Sequence, residues 1–586
     1  MNNKQVARLL RSVAIAYQLQ NQDSNRFKVN AYENAALAIE TLDQEVLFLW
    51  KEQKLGTIPG IGQKISQHLD ELFRTGQVKH FNKLLSGIPE ALFELIKIRG
   101  IGPKTALKLC QQLKIVKKDG AIDKLKKAVE NGQVALIEGL GEESAQNMLV
   151  AIKNWQDRQK QPTRMLLFEA DHLAKSVVNY LDSIAEVDRV DVLGSLRRRV
   201  ETVRDLDIAC SSYLPKKVVK KLLEFSEIDQ VISAGDNSVS LLLKTGEQVD
   251  IKTQSPESYG SLLQHFTGSK QHNVRLRELA LGHGLSLSEH GIKSVKSKKI
   301  EPIKTEVEFY HRLGLSYIPP ELRENNGEIE NPIPILVEPS DIKGDLHLHS
   351  NFPTKTSHDY GLNSMDSLVA VGHRLGYQYL AFTEHNPDFK ELGKDGCLEI
   401  LKNKKELVEQ KKSSWVKDFN IRVFNGLEID IRSDGQLSIP LEGLKYLDFA
   451  TISIHYNFSL DVKVMTQRVL TAFKADPKIK ILAHPTGRIL NQRPGYQLDW
   501  DKIFDYCQKE NKFLEVNSSI DRLDLPDQLI RQAVKGNVKL CINSDAHSDS
   551  QMLFLDYGVD TARRGWAQAK DIINCLPFDQ LSDILV

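Results

Sequence analysis

Cysteine is scarce and scattered. The six residues Cys110, Cys210, Cys397, Cys507, Cys541 and Cys575 form no C-x-x-C pair, which argues against both a disulfide framework and a thiolate zinc site. Also missing is any apolar run near the roughly 18 residues that span a bilayer, so no membrane association is expected. The opening MNNKQVARLLRSVAIAYQLQ is amphipathic and continues in helical periodicity. It lacks the apolar core and cleavage site of a secretory leader, and the expected location is the cytoplasm. Net charge is nearly absent at +1, but this hides an asymmetry: residues 1–300 carry about nine more Lys and Arg than Asp and Glu. A basic front half is compatible with a phosphate-backbone partner.

A chain of 586 residues is too long for one compact core, and its patterning divides it. Residues 1–155 read as short amphipathic helices separated by Gly-rich turns, with few strand signals. Residues 156–316 alternate helices with β-rich runs such as DRVDVLGS and SVSLLLKTGEQVDIKT, an α+β pattern. The Pro- and Glu-rich stretch 317–341 reads as a linker. From 342 to 586 short apolar runs alternate with amphipathic helices, as in β/α units around a parallel sheet or barrel.

Three hairpins share one frame: IPGIGQKI at 58–65, IRGIGPKT at 98–105 and IEGLGEES at 137–144. Each sets G-x-G between two helices, so that backbone N–H groups at the second helix's N-terminus can approach a phosphate without contacting a base. They resemble helix-hairpin-helix motifs of DNA repair and replication proteins, which implies DNA contacts at Gly60, Gly62 and Lys64 and at Gly100, Gly102 and Lys104. The third hairpin, with Glu138, Glu142 and Glu143, is acidic and reads as structural. FKVNAYENAALAIETL (27–42) with the first hairpin resembles the N-terminal domain of polymerase beta and its bacterial relatives. His68 stands where that domain's Schiff-base lysine is expected, which argues against lyase chemistry.

In LGSLRRRVETVRDLDIAC, a strand ending at Gly194-Ser195 is followed by Asp205 and Asp207. Residues i and i+2 of a strand face one way, so the two carboxylates can share a pair of Mg²⁺ ions, and Asp250 in EQVDIKT completes the set. This resembles family X polymerases within the nucleotidyltransferase superfamily. The resemblance implies that Arg164, Gly194, Ser195 and Arg198 bind an incoming deoxynucleoside triphosphate. It also implies that Phe266, Gly268, Ser269, Asn273 and Arg277 of HFTGSKQHNVRLRELA line the sugar, base and template side. His265 replaces the tyrosine usual in that motif, which bears on sugar discrimination. Arg199 and Arg204 replace glycines and are expected to add positive charge beside the triphosphate.

Seven apolar runs follow, GDLHLH, YLAFTEH, VFNGLEID, ATISIH, IKILAHP, FLEVN and LCINSDAH, nearly all ending in a potential metal ligand. Ligands at strand C-termini are where a β/α barrel builds its site, and histidines with carboxylates suit Mn²⁺, Zn²⁺ or Fe rather than Ca²⁺. The region resembles the PHP (polymerase and histidinol phosphatase) domain, which implies the ligands His347, His349, Asp359, His385, Glu428, His455, His484, Asp545 and His547 around up to three metals. The long spacing before Asp359 leaves His358 as its competitor, and Glu384 replaces the aspartate of the usual T-D-H run.

The expected protein is therefore multidomain, with an all-α helix-hairpin-helix N-terminal region, an α+β nucleotidyltransferase (polymerase beta-like) palm and thumb, and a C-terminal distorted seven-stranded β/α PHP barrel. The resemblance implies a monomeric, gap-filling DNA polymerase acting on gapped or primer-template duplex. Metal-dependent 3′→5′ exonuclease or 3′-phosphodiesterase activity, with cleavage at abasic sites as a related reaction, is assigned to the PHP domain. Two other readings are a small-molecule phosphatase with a DNA-binding front half and a DNA-end-binding scaffold with a decayed polymerase site. The hairpins and the G-S…D-x-D…D set oppose the first, and the intact carboxylates oppose the second.

Overall fold

The computed structural model describes every residue except 2, 21–24, 41–45, 59, 99 and 160–163. It divides into two compact units, Met1–Thr163 and Arg164–Val586. The last two residues of the 27–42 segment, and one residue each of the first and second hairpins, lie outside the described residues.

The first unit is helical throughout its described residues. Its three hairpins fold alike. The glycines Gly60, Gly100 and Gly139 adopt φ of 81°, 82° and 78°, a left-handed conformation that side chains disfavour. Each turn is closed by the same bond, Ile61 N to Ile58 O, Ile101 N to Ile98 O, and Leu140 N to Ile137 O. Gly62 and Gly102 then cap helices Gln63–Thr75 and Pro103–Gln112 with extended backbone, leaving first-turn N–H groups for an outside acceptor. At the third turn the Lys108 ammonium donates to the Glu138 carbonyl, so that hairpin is engaged within the unit, in keeping with its acidic sequence.

The second unit begins with a five-stranded sheet ordered 189–192, 206–211, 248–254, 238–243, 228–234. Strands Leu206–Ser211 and Gln248–Gln254 run parallel, with Asp207 opposite Asp250. Alternation explains the placement: Val249, Ile251 and Thr253 turn into the core and Asp250 and Lys252 to the other face. Helices Tyr259–Thr267 and Lys270–Gly282 lead into a small three-stranded sheet. The 317–341 segment departs from its expected role as a spacer. Ile318, Leu322, Ile329 and Leu336 are buried in one core with Leu276, Phe309 and Trp566, because the apolar residues between its prolines repay burial.

From 344 onward all strands are parallel. A three-stranded sheet (344–348, 379–382, 422–425) and a five-stranded sheet (428–430, 450–453, 479–482, 513–517, 540–543) are joined by bridges His385 to Glu428 and Leu348 to Ala546. The result is a distorted barrel. The run VFNGLEID breaks at Gly426, where a Cβ would lie 2.7 Å from Thr383, so the seven apolar runs yield eight strands. Among the described residues no helix is long and apolar enough to cross a membrane.

Candidate functional site

Two constellations lie in the second unit. At the first, the sheet register sets Asp207 beside Asp250, and Asp205 stands just before the same strand as Asp207. Burial, then the charges of Asp250 and Asp205, push the Asp207 carboxyl up to about 6. Three carboxylates crowded in this way favour a divalent cation over mutual repulsion. Ser240 donates to one oxygen of Asp250, and Gln248 Nε2 donates to the other at 3.0 Å, fixing its rotamer. Gly194 is required twice over: its φ is +58°, and a Cβ there would lie 2.9 Å from Asp207 Oδ2.

Arg198 reaches across to the following motif. Its Nη1 donates to Thr267 O at 2.6 Å and its Nε to Glu324 at 2.9 Å. A Cβ on Gly268 would meet that Nη1 at 3.0 Å, so glycine keeps the approach open. Phe266 lies beneath the Lys252 ammonium, 4.6 Å from its ring centre, on the strand that carries Asp250. Asn273 is held by Gln264 and by the carbonyl of His265 at 2.8 Å each, and Ser269 caps the helix after it. Arg277 is exposed on that helix. Arg164 instead grips Thr202, through Oγ1 at 2.8 Å and the carbonyl at 2.6 Å, three residues before Asp205. Arg199 and Arg204, expected to add positive charge beside the triphosphate, are each paired with carboxylates. Arg199 turns to Asp171 and Asp560, each at 2.6 Å, and Arg204 pairs with Asp205 at 2.9 Å.

The second constellation gathers at the C-terminal ends of the barrel strands. Glu428 lies at its centre. Its Oε2 is 2.8 Å from His385, 3.4 Å from His347 and 3.6 Å from His349, and its Oε1 is 3.0 Å from His484 and 3.5 Å from His455. Asp545 lies 3.2 Å from His349. Asp359 lies 3.6 Å from His385 and 3.5 Å from His547, whereas His358 bonds Asp430 at 2.7 Å. All nine expected ligands therefore converge, and His358 occupies an adjoining position against His455. His347 Nε2, both ring nitrogens of His349, Glu428 Oε2, His484 Nδ1 and His547 Nε2 are buried without a hydrogen-bond partner. Orphaned lone pairs and imidazoles aimed at one another are costly unless cations join them, so the donor set fits divalent metal. Four triplets, His347–His349–Glu428, His349–His385–His547, Glu428–His455–His484 and His358–His385–His455, have ligand atoms within 4.8 Å of one another, so His358 stays a candidate ligand beside Asp359. Burial, then His547 and His385, hold His349 well below the usual imidazole range, which favours the neutral form that ligates. Burial opposes charge on His347, yet Glu515, Asp545 and Glu428 raise its pKa well above the ordinary value.

Sequence reasoning passed over the supporting carboxylates. Glu515 accepts from His347 Nδ1 at 2.8 Å and from the His484 N–H at 2.7 Å, leaving His347 Nε2 to face the cluster. Asp430 does the same for His455 Nδ1 at 2.6 Å. Glu384 is neutralised by Lys404, which also donates to the carbonyls of Phe382 and Gly426. The signal was a charge inside an apolar strand run: the Glu of FLEVN, the second acid of GLEID.

In the first unit His68 occupies the position expected for a lysine. It accepts or donates at 2.8 Å with the Tyr32 hydroxyl and stacks on His80 at 5.2 Å. No amine stands at that position, and Lys64 lies one turn earlier on an exposed face.

Comparison with known proteins matches four stretches of the chain. A helix-hairpin-helix domain matches residues 1–78, a SAM-like helix-hairpin-helix tandem 92–154, the DNA polymerase beta thumb 262–324 and the PHP domain 345–519. The DNA polymerase/3′-5′ exonuclease PolX of Bacillus subtilis (strain 168) is 32% identical over 578 residues, 98% of this chain and 97% of that protein. DNA polymerase lambda of Rattus norvegicus is 23% identical over 352 residues, 55% of this chain and 56% of its own length. A probable phosphatase of Caldicellulosiruptor bescii is 24% identical over 211 residues, 35% of this chain and 79% of its own.

Proposed function

Since the chain belongs to the family X DNA polymerases that carry a C-terminal PHP domain, we propose that Asp205, Asp207 and Asp250 carry its nucleotidyl transfer and that the nine-ligand barrel cluster carries its 3′→5′ hydrolysis. The protein is a DNA polymerase and 3′→5′ exonuclease. The finer reading is gap filling in DNA repair on a primer-template or gapped duplex, with two Mg²⁺ at the palm and up to three Mn²⁺ or Zn²⁺ at the barrel. The observation that carries it is the coexistence, in one compact unit, of the in-register Asp207–Asp250 pair and a separate buried cluster centred on Glu428.

Bound divalent cations supply acidification of the attacking hydroxyl or water and neutralisation of phosphate charge at each site. The chain's own groups supply the rest. Ser240 and Gln248 orient Asp250, and the Gly194 turn brings the triphosphate loop against Asp207. Arg198 offers a planar guanidinium to phosphate oxygens. Phe266 and Asn273 are assigned to the sugar and base, and Gly268 leaves room for the Arg198 guanidinium. In the barrel, Glu515 and Asp430 hold His347 and His455 in fixed tautomers. The glycine turns at 60–62 and 100–102, with Lys64 and Lys104, hold duplex backbone without reading sequence.

The test is a labelled primer on a short-gapped duplex with Mg²⁺ or Mn²⁺. Extension with all four deoxynucleoside triphosphates, and shortening without them, is the expected result. No extension under either metal, with turnover of small phosphoesters instead, would favour the phosphatase reading suggested by the Caldicellulosiruptor match.

A further inference from the structure

One helix of the PHP region, Leu555–Arg564, presents Tyr557, Asp560 and Arg564 on a shared face, and that face meets the palm loop 198–199. Arg564 Nη1 donates to the main-chain carbonyl of Arg198 at 2.7 Å and to Glu324 Oε1 at 3.1 Å. Its Nη2 is anchored by Asp527 at 2.7 Å. Glu324 Oε1 is the same atom that accepts from Arg198 Nε at 2.9 Å. Arg199, forced into φ +56°, is fixed by Asp560 and Asp171 and lies over the Tyr557 ring at 5.5 Å. Arg564 is only 9% exposed at its side chain and Arg198 13%, so solvent screens these pairs weakly.

A single carboxylate thus serves two arginines, one beside the proposed triphosphate loop and one from the hydrolytic domain. If a triphosphate engages the Arg198 guanidinium, Glu324 loses that partner. A half-buried carboxylate left alone would pull Arg198 back and compete with the nucleotide. Arg564 keeps Glu324 paired throughout, and through the Arg198 carbonyl it also holds the loop that carries the arginine.

We infer that Arg564 and Asp560, residues of the PHP region outside its proposed ligand set, are positioning residues for the nucleotide at the polymerase site, acting through Glu324 and Arg199. This rests on the reading of Arg198 as a triphosphate ligand. The two domains are then one catalytic structure on the polymerase side, whereas hydrolysis is independent of this contact.

The experiment uses the full-length chain, with primer extension at varied deoxynucleoside triphosphate and 3′→5′ shortening measured on the same preparations. Arg564→Ala is expected to raise the nucleotide KM about tenfold with kcat changed less than about threefold, and to leave shortening unchanged. Glu324→Gln in that background removes the competing charge and is expected to restore KM to within about threefold of the parent. Asp560→Asn, nearly isosteric, is expected to raise KM in the same direction by a smaller factor. Unchanged KM in Arg564→Ala and Asp560→Asn, while Arg198→Ala raises it, overturns the inference and leaves the reading of Arg198 standing. Unchanged KM in Arg198→Ala itself removes that reading and the inference with it. An equal loss of extension and shortening in Arg564→Ala, not rescued by Glu324→Gln, reduces the contact to structural support and also overturns it.

Discussion

At the scale of single residues, the Asp207 carboxyl lies near 6 when the ordinary value is 3.8. Between those values the folded protein keeps a proton that the unfolded chain has released, so its contribution to stability falls as pH rises through that window and stays lost above it. Without divalent cation, Asp207→Asn should therefore raise the unfolding midpoint at pH 8 by the equivalent of roughly 1–3 kcal/mol and change little at pH 3.5. Calorimetry at both pH values checks this, and added Mg²⁺ should stabilise the parent but not the variant. Separation of function is expected at the two clusters. Asp205→Ala should lose extension and keep shortening, and His347→Ala the reverse. Glu515→Gln, which leaves all nine ligands in place, should still weaken metal affinity or shortening by about 10–100-fold, measured by Mn²⁺ titration of the exonuclease. Eight of the nine candidate ligands were legible because they lie at or near the ends of apolar runs, whereas Asp359 lies in none. Glu515 and Asp430 stand out locally as charges inside apolar runs, but the histidines they hold, 168 and 25 positions away, do not follow from that local signal.

At the scale of elements, the three hairpins have one backbone geometry and different surroundings. Gly60 and Gly100 turn in the same way as Gly139, but at the third turn the Glu138 carbonyl already accepts from Lys108 of the second hairpin's helix. Lys64→Ala and Lys104→Ala should each lower affinity for duplex of any sequence and reduce the slope of log affinity against log salt by roughly 0.9. Glu142→Gln should leave that slope unchanged, and a salt titration with two unrelated duplexes checks both. The G-x-G spacing foretold the turn, since only glycine takes φ near +80° freely. Which turn remains open to a phosphate depends on neighbours that the spacing does not encode. The palm loop behaves likewise. Arg199, expected to bring positive charge beside the triphosphate, is turned by the fold onto Asp171 and Asp560.

At the scale of the whole molecule, the boundaries of cooperative structure differ from the boundaries of pattern. Trp566, beyond the barrel strands, is buried with Leu276, Leu322 and Leu336, and Leu490 and Leu523 join the palm core. A fragment of residues 342–586 would expose this apolar surface. It should aggregate or unfold at lower temperature than a fragment of residues 164–586, which keeps the compact unit whole. Light scattering and thermal unfolding of the two fragments decide it, and equal behaviour would mean that the palm contributes nothing to the stability of the barrel.

The sequence by itself determined the classes of structure, the glycine turns and the placing of candidate ligands at the ends of most barrel strands, because these follow from backbone sterics and from periodicities of 2 and 3.6 residues. Only the tertiary structure decided that Asp250 stands opposite Asp207, that Asp359 lies beside His385 and His547 while His358 lies beside Asp430, His385 and His455, and that the Pro-rich stretch is packed. It alone brought Arg564 to the carboxylate that holds Arg198. These outcomes depend on register, burial and charge pairing between residues tens to hundreds of positions apart, and no local spacing carries that information.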